Sequence, residues 1–287
     1  MTVRIETEGV ARSAAGRDWT AKAAALLPRI IFAGYMILFF TYLFLPLVVM
    51  GAATFNTSKF PTVTPWLGTT LDWFSALWSD QAMWRALGLS FLIALAVIAI
   101  ALPAGTAAAL FLTSLQPRAR TFLYAFMVSP LLTPGVAIGI ATLVLWHQLG
   151  VGGGTFLIVL AQASFITSYV MLMVVARLQR FDRVQEEAAA GLGASRFMIF
   201  RRILLPYLRP SLLAAAFIAF LQSFENYNTT LFVRGTETPL TVYIATKVRT
   251  GLTPAVNALG LILIGVTILA AIAIEIVRRR SAGRPVA

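Results

Sequence analysis

The chain has 287 residues, 59% of them hydrophobic and 12% charged, with a mean hydropathy of +0.83. A soluble domain is about 45–50% apolar and about 25% charged, so the composition excludes an ordinary soluble protein and points to a polytopic membrane protein. The net charge of +12 does not indicate nucleic-acid binding, because the basic residues are scattered between apolar runs and form no single footprint, and the absence of cysteine excludes disulfides, thiol catalysis and cysteine-held metals.

Residues 1–28 are mixed in charge and do not read as a signal peptide; the apolar run after them is too long for a signal core and reads as a retained span. A membrane-crossing helix needs about 20 mostly apolar residues. Six stretches meet that requirement: 30–52, 86–112, 122–146, 154–176, 210–232 and 255–277. The expected fold class is therefore all-α, a polytopic protein with six transmembrane helices. It divides into an N-terminal tail (1–29), one membrane domain (30–280) and a C-terminal tail (281–287).

Pro46 in the first stretch and Pro130 and Pro134 in the third remove backbone donors and are expected to kink their helices. The segment 53–85 carries Trp66, Trp73, Phe74, Trp78 and Trp84. It fits either a loop with an interfacial helix or a loop packed on the mouth of its own bundle. "GVGGGTF" at 150–156 is glycine-rich but lacks the lysine of a phosphate-binding loop, and reads as a tight turn between spans three and four.

Lysine and arginine set the orientation. Eighteen of them fall on one side, in the N-terminal tail, the 113–121 loop, the 177–209 loop and the C-terminal tail; five fall on the other (Lys59, Arg85, Arg234, Lys247 and Arg249). Both termini and the 177–209 loop are expected in the cytoplasm.

That loop contains "EEAAAGLGASRFMIFRRILLP", residues 186–206. Asp182 with Gln185 resembles a capping box, and Glu186 and Glu187 suit the first turn of a helix. Ala188, Ala189 and Ala190 favour helix, and Gly193 permits a left-handed turn that ends it. Ser195 can cap a second helix with Phe197, Phe200 and Leu204 on one face, and Pro206 is expected to stop it. On these grounds alone the segment could simply be an amphipathic loop resting at the interface and helping to set topology.

The spacing adds a resemblance. Glu187-Ala188-Ala189, three residues, Gly193, nine residues, Ile203, one residue and Leu205-Pro206 resembles the EAA loop of binding-protein-dependent ABC importer permeases. "RLQRFDRVQ" just before it and the later "PAVNALG" also resemble that family, particularly its polyamine-type branch, and the likeness covers about residues 30–280. The resemblance implies the type I importer permease fold, in the inner membrane of a bacterial cell. It also implies partners: a second homologous permease, two ATP-binding cassette ATPase subunits, an extracytoplasmic solute-binding protein and surrounding membrane lipid. ATP and Mg would be held by the ATPase subunits and no cofactor by this chain, which contains no phosphate-binding loop of its own. Glu187, Ala188, Ala189, Gly193, Ile203, Leu205 and Pro206 would couple the chain to the ATPase.

In "LQSFENYNTTLF", 221–232, a continuous helix would place Gln222, Glu225, Asn226 and Thr229 on one face within a span. An acid there is costly and faces a pathway or a partner. Glu225 then either lines the translocation path of a cationic solute or locks the span to a neighbour. A polyamine such as putrescine or spermidine is the solute the resemblance favours. Yet polyamine-type relatives often carry an acid just after the second proline of span three, where this chain has Gly135, so amino-acid-like or opine compounds stay open as alternatives. His147, the single histidine, reads as an interfacial residue, and no cluster has metal-ligand spacing. The rival class is a stand-alone secondary transporter, for which only Glu225 and Glu275 offer intramembrane acids. A membrane-embedded enzyme has no catalytic constellation to support it.

Overall fold

The computed structural model describes residues 3–251 and 253–282. Among them the helices are, in chain order, α1 (Val3–Thr54), α2 (Asp72–Ser79), α3 (Gln81–Ser114), α4 (Pro117–Leu132), α5 (Gly135–Gln148), α6 (Thr155–Leu178), α7 (Val184–Gly191), α8 (Arg196–Ile199), α9 (Leu205–Phe224), α10 (Thr230–Val233), α11 (Leu240–Thr250) and α12 (Pro254–Ala282). A π-helical turn, Phe200–Leu204, joins α8 to α9. The chain forms two compact units, residues 1–77 with 252–287, and residues 78–251.

In the first unit, α1 carries an apolar stretch from Pro28 to Thr54, about 40 Å long at 1.5 Å per residue. Ile30, Ile31, Phe32 and Tyr35 stand exposed along it, as side chains solvated by lipid do. Helices α1 and α12 pack where Gly51 faces Leu261 and Gly260 faces Met50. The segment after α1 is organised by the buried Asn56. Its Nδ2 donates to the carbonyls of Thr62 (2.9 Å) and Pro65 (3.0 Å), and its Oδ1 accepts from the amides of Ser58 and Leu67. The Trp73 indole donates to the Asn56 carbonyl at 2.9 Å.

The core of the second unit is built by α3, α6 and α9, through Ile93, Val97, Ala101 and Ala109 of α3, Ile158, Ile166, Val170 and Val174 of α6, and Leu208, Ala215 and Ala219 of α9. Lipid is as apolar as leucine, so such helices associate by close packing at small residues. Gly105 shows this: a Cβ there would lie 2.6 Å from Val170 Cβ and 2.8 Å from the Thr167 carbonyl.

The expectation of six spans is corrected. Among the described residues, four helical stretches are long and apolar enough to cross a membrane: Pro28–Thr54, Gln81–Ser114, Thr155–Leu178 and Arg196–Phe224. A fifth is reached only if α4 and α5, bent by 100°, count together. The bend has a local cause. Pro134 disfavours the helical region for the residue before it, and Thr133 is extended at φ −88°, ψ 130°. The expected sixth span, 255–277, lies within α12, of which only Pro254–Leu269 is an apolar helix among the described residues, so it is not one of the four; many side chains beyond Leu269, Glu275 among them, lie outside the described residues, as does the tail from 283.

Two boundaries also move. The expected 210–232 helix stops at Phe224 and is interrupted until Thr230. Pro206 does not stop its helix, which continues from Arg196 to Phe224. The π turn just before it accommodates the proline: the Leu205 amide reaches back five residues to the Phe200 carbonyl, so the ladder is already widened where the missing N–H and the ring would otherwise disrupt it.

Candidate functional site

Two regions of the second unit collect the polar residues singled out in the sequence. The first is the segment from Arg183 to Pro206. Asp182 Oδ1 accepts from the Val184 amide at 3.0 Å, a turn of the Asx type; the N-cap of α7 is Arg183, which makes no side-chain cap bond, so the expected capping box does not form. Glu187 and Ala188 are exposed on α7 and Ala189 is half-buried. Gly193 sits at φ +84°, a left-handed conformation that glycine adopts without steric cost. Its amide donates to the Ala190 carbonyl at 2.9 Å, and the Ala194 amide to that of Ala189 at 3.0 Å. Ser195 Oγ accepts from the Met198 amide at 3.3 Å, capping α8. Ile203 lies half-buried in the π turn, and Leu205 and Pro206, both exposed, open α9.

Apolar side chains surround this turn without cover: Leu192 is 90% exposed and Phe197 70%. The sequence reading passed over Leu192, although a large apolar residue between two glycines in a polar loop was a usable signal.

The segment is tied to the bundle at both ends. The Arg177 guanidinium lies 4.2 Å over the Tyr207 ring, and the Tyr207 hydroxyl donates to the Arg177 carbonyl at 3.1 Å. Phe181 packs on the same ring at 4.8 Å. Arg183 Nη2 donates to the Thr113 carbonyl at 2.9 Å, fixing the start of α7 to the end of α3.

The second region is a cavity of about 300 Å³. The break between α4 and α5 supplies Pro130, Leu131, Thr133 and Gly135, α6 supplies Phe165 and Tyr169, and the break after α9 supplies Gln222 and Glu225 to Thr229. The four residues expected on one helical face thus meet at one cavity, but across an interruption. Buried hydrogen bonds hold that interruption. Ser223 Oγ donates to Gln162 Oε1 (2.5 Å), Gln162 Nε2 donates to Thr230 Oγ1 (2.8 Å), and Asn226 Oδ1 accepts from both the amide (3.2 Å) and the hydroxyl (3.0 Å) of Thr230. Thr241 Oγ1 adds a bond to the Asn226 carbonyl at 3.0 Å. The Glu225 carboxylate takes no part in this set and forms no ion pair among the described residues. Gln162, Ser223 and Thr230 escaped the sequence reading, because their partners lie 61 and 68 residues apart. His147 is exposed in the last turn of α5.

At the end of α3 away from the loop, Asp80 caps the helix, accepting from the amides of Ala82 (2.9 Å) and Met83 (3.1 Å). Its other oxygen accepts from the Tyr243 hydroxyl at 2.6 Å and faces Lys247 Nζ at 3.5 Å. Burial works to raise the Asp80 carboxyl, but the Tyr243 hydroxyl, the amides and the Lys247 ammonium outweigh it and hold it below its ordinary value. Burial, then the hydrogen bond and the charge of Asp80, push the Tyr243 phenol up.

Long apolar helices, two of them interrupted at one cavity, with an exposed helix–glycine–helix loop at the end of the bundle, define the membrane component of a transporter. Residues 101–283 match the family described as "Binding-protein-dependent transport system inner membrane component", and the chain belongs to it. It is thus a multi-pass permease subunit of an ATP-driven ABC importer, and ATP hydrolysis belongs to its partner subunits. The chain is 34% identical over 238 residues to the putrescine transport system permease protein PotI of Escherichia coli, covering 80% of this chain and 84% of that one. It is 30% identical over 257 residues to the E. coli spermidine/putrescine transport system permease protein PotC, covering 88% and 96%. In fold it is similar to a bacterial alginate ABC transporter (TM-score 0.67, 17% identity, 94% and 97% covered) and to the MetNI methionine transporter (TM-score 0.53, 17% identity, 75% and 100% covered).

Proposed function

We propose that this permease carries a polyamine such as putrescine or spermidine inward. It works beside a second homologous permease, two ATPase subunits and an extracytoplasmic solute-binding protein. Both termini and the 177–209 loop face the cytoplasm. The loop docks on an ATPase subunit, with Glu187 as a charged contact, Ala188 and Ala189 allowing close approach and Gly193 setting the angle between α7 and α8. Ile203, Leu205 and Pro206 carry the displacement into α9.

One observation carries the coupling reading: α8, the π turn and α9 form one unbroken helical path from the exposed loop to the cavity. A push on α8 is delivered to the wall that holds Gln222, Glu225, Asn226 and Thr229. The exposed Leu192 and Phe197 suit a protein partner, since large apolar groups left open on a polar loop mark interaction surfaces. The polyamine reading is supported by the functions named for the two E. coli relatives and by Glu225, the one carboxylate lining the cavity among the described residues.

A second reading is favoured by Arg249, whose Nη2 donates to the hydroxyl of the cavity residue Tyr227 at 3.3 Å. A guanidinium at that rim suits an amino-acid-like solute with a carboxylate. The test is to purify the complex with its binding protein and identify the solute it retains by mass spectrometry. A polyamine supports the first reading, an amino-acid-like compound the second, and a neutral sugar rejects both.

A further inference from the structure

We infer that the loop between α1 and α2 is a membrane anchor seated in the lipid headgroup layer of the outer leaflet. Phe60, Trp66, Leu67 and Leu71 are the groups that enter the lipid, and Asn56 is the residue that holds them in place. The orientation proposed above enters only in the choice of leaflet.

The length of α1 sets the depth. Its apolar stretch, Pro28–Thr54, has 27 residues and is about 40 Å long at 1.5 Å per residue. A bilayer with its headgroups is about 40–45 Å thick. The loop begins at the next residue, Phe55, and so leaves α1 at headgroup depth. Leu45, Val48 and Val49 stand exposed on the last turns of α1, so the loop continues a surface already given to lipid.

The composition selects the occupant. From Phe60 to Leu71 the sequence "FPTVTPWLGTTL" has no charged residue. Phe60, Leu67 and Leu71 are each at least 65% exposed, an unfavourable arrangement in water. A soluble partner steered by charge finds nothing to pair with here. The headgroup layer suits these groups, because indole rings concentrate there. Trp73 faces inward, its indole bonded to the Asn56 carbonyl, whereas Trp66 is 49% exposed.

Backbone placed against lipid has to be satisfied by the protein itself, and this loop is built that way. The Thr57 amide donates to the Gly68 carbonyl (3.1 Å) and the Thr70 amide to that of Phe55 (2.9 Å), closing residues 58–67 into a compact tip. Within it the buried Asn56 side chain binds the carbonyls of Thr62 and Pro65 and the amides of Ser58 and Leu67. Ser58 Oγ accepts from the Phe60 amide at 3.1 Å. The Phe55 ring packs on Phe74 at 5.7 Å, tying the tip to the start of α2. A tip ordered in advance loses little further entropy when its side chains enter lipid.

The chain has no cysteine, which allows a direct test. The complete complex, with cysteine-free partner subunits, is placed in nanodiscs of phosphatidylethanolamine and phosphatidylglycerol and labelled with bimane at Leu67→Cys or Phe60→Cys. Three quenchers are compared: lipid with a nitroxide at the headgroup, lipid with a nitroxide near the chain end, and aqueous iodide. Tyr42→Cys, midway along the apolar stretch and 81% exposed, is the deep reference. Both loop labels should lose more fluorescence to the headgroup nitroxide than to the chain-end one, and the Tyr42→Cys label should show the reverse order. Adding Asn56→Ala should weaken headgroup quenching at Leu67→Cys and leave Tyr42→Cys unchanged; equal quenching with and without Asn56 overturns its part. Loop labels quenched by iodide and by neither lipid overturn the anchor. Labels that neither lipid quenches also overturn it if iodide is excluded: exclusion only after the solute-binding protein is added marks a docking face for that protein, and exclusion throughout marks packing on the bundle. The nanodisc signal is the same for either leaflet, so a reversed orientation is detected separately, by the sidedness of labelling with an impermeant reagent.

Discussion

Replacing Gln162 by leucine tests whether the break after α9 is a built feature. Gln162 is 1% exposed and joins two elements, accepting from Ser223 Oγ at 2.5 Å and donating to Thr230 Oγ1 at 2.8 Å. Leucine is close in volume, so the change deletes hydrogen bonds and leaves little cavity. Interhelical side-chain bonds in membranes average about 0.6 kcal/mol and reach about 1.7 kcal/mol, so two bonds give about 1–3 kcal/mol. The Ser223 hydroxyl is left without an acceptor in a buried site, whereas Thr230 still has Asn226, which favours the upper part of that range. A chain of this size loses about 2–4 °C of melting temperature per kcal/mol, so the fall is about 2–12 °C. Thermal unfolding of the purified complex in detergent reads it directly. Adding Ser223→Ala to Gln162→Leu removes the stranded hydroxyl and should recover part of the loss. An unchanged melting temperature in Gln162→Leu, or two strictly additive losses, refutes the reasoning.

In the loop, Glu187→Lys and Gly193→Asp should leave the permease inserted but uncouple uptake from ATP hydrolysis. Nothing lies within 4 Å of a Cβ at Gly193, so its effect is backbone strain of about 1–2 kcal/mol at positive φ plus a new charge; normal uptake by both variants at wild-type expression removes the coupling role. A cysteine replacing Ala190 should react with an impermeant reagent only from the cytoplasm, and one replacing Thr70 only from outside; reversed labelling overturns the orientation. At Asp80, a carboxyl held below its ordinary value contributes stability that is present above the ordinary carboxylate range and lost as pH falls through the lowered value. Asp80→Asn should therefore lower the melting temperature at pH 7 and narrow the gap from wild type toward pH 3; an equal gap at both pH values discounts the charge.

The long apolar stretches of spans one, two and four were legible because length and composition alone decide them. Gly193 and Ser195 were legible because turn and cap chemistry are local, and both adopt the expected geometry. Pro134 announced a kink, but the sequence did not give its size, since a 100° bend depends on what the freed backbone meets. The break at Glu225 was missed because "LQSFENYNTTLF" keeps helical spacing throughout. What ends the helix is a set of long-range bonds from Gln162 and Thr241, which no local pattern encodes. The continuation through Pro206 was missed for the opposite reason: a local stop signal was overridden by a π turn.

The central claim, that this chain moves a cationic amine only when partner subunits hydrolyse ATP, is tested most directly by radiolabelled putrescine uptake into liposomes holding the complete importer, with ATP or a non-hydrolysable analogue on the cytoplasmic side. Accumulation above the outside concentration with ATP, and none with the analogue, is the predicted result. Accumulation by the permease without its ATPase subunits, driven by an ion gradient, would contradict the account and mark a stand-alone carrier.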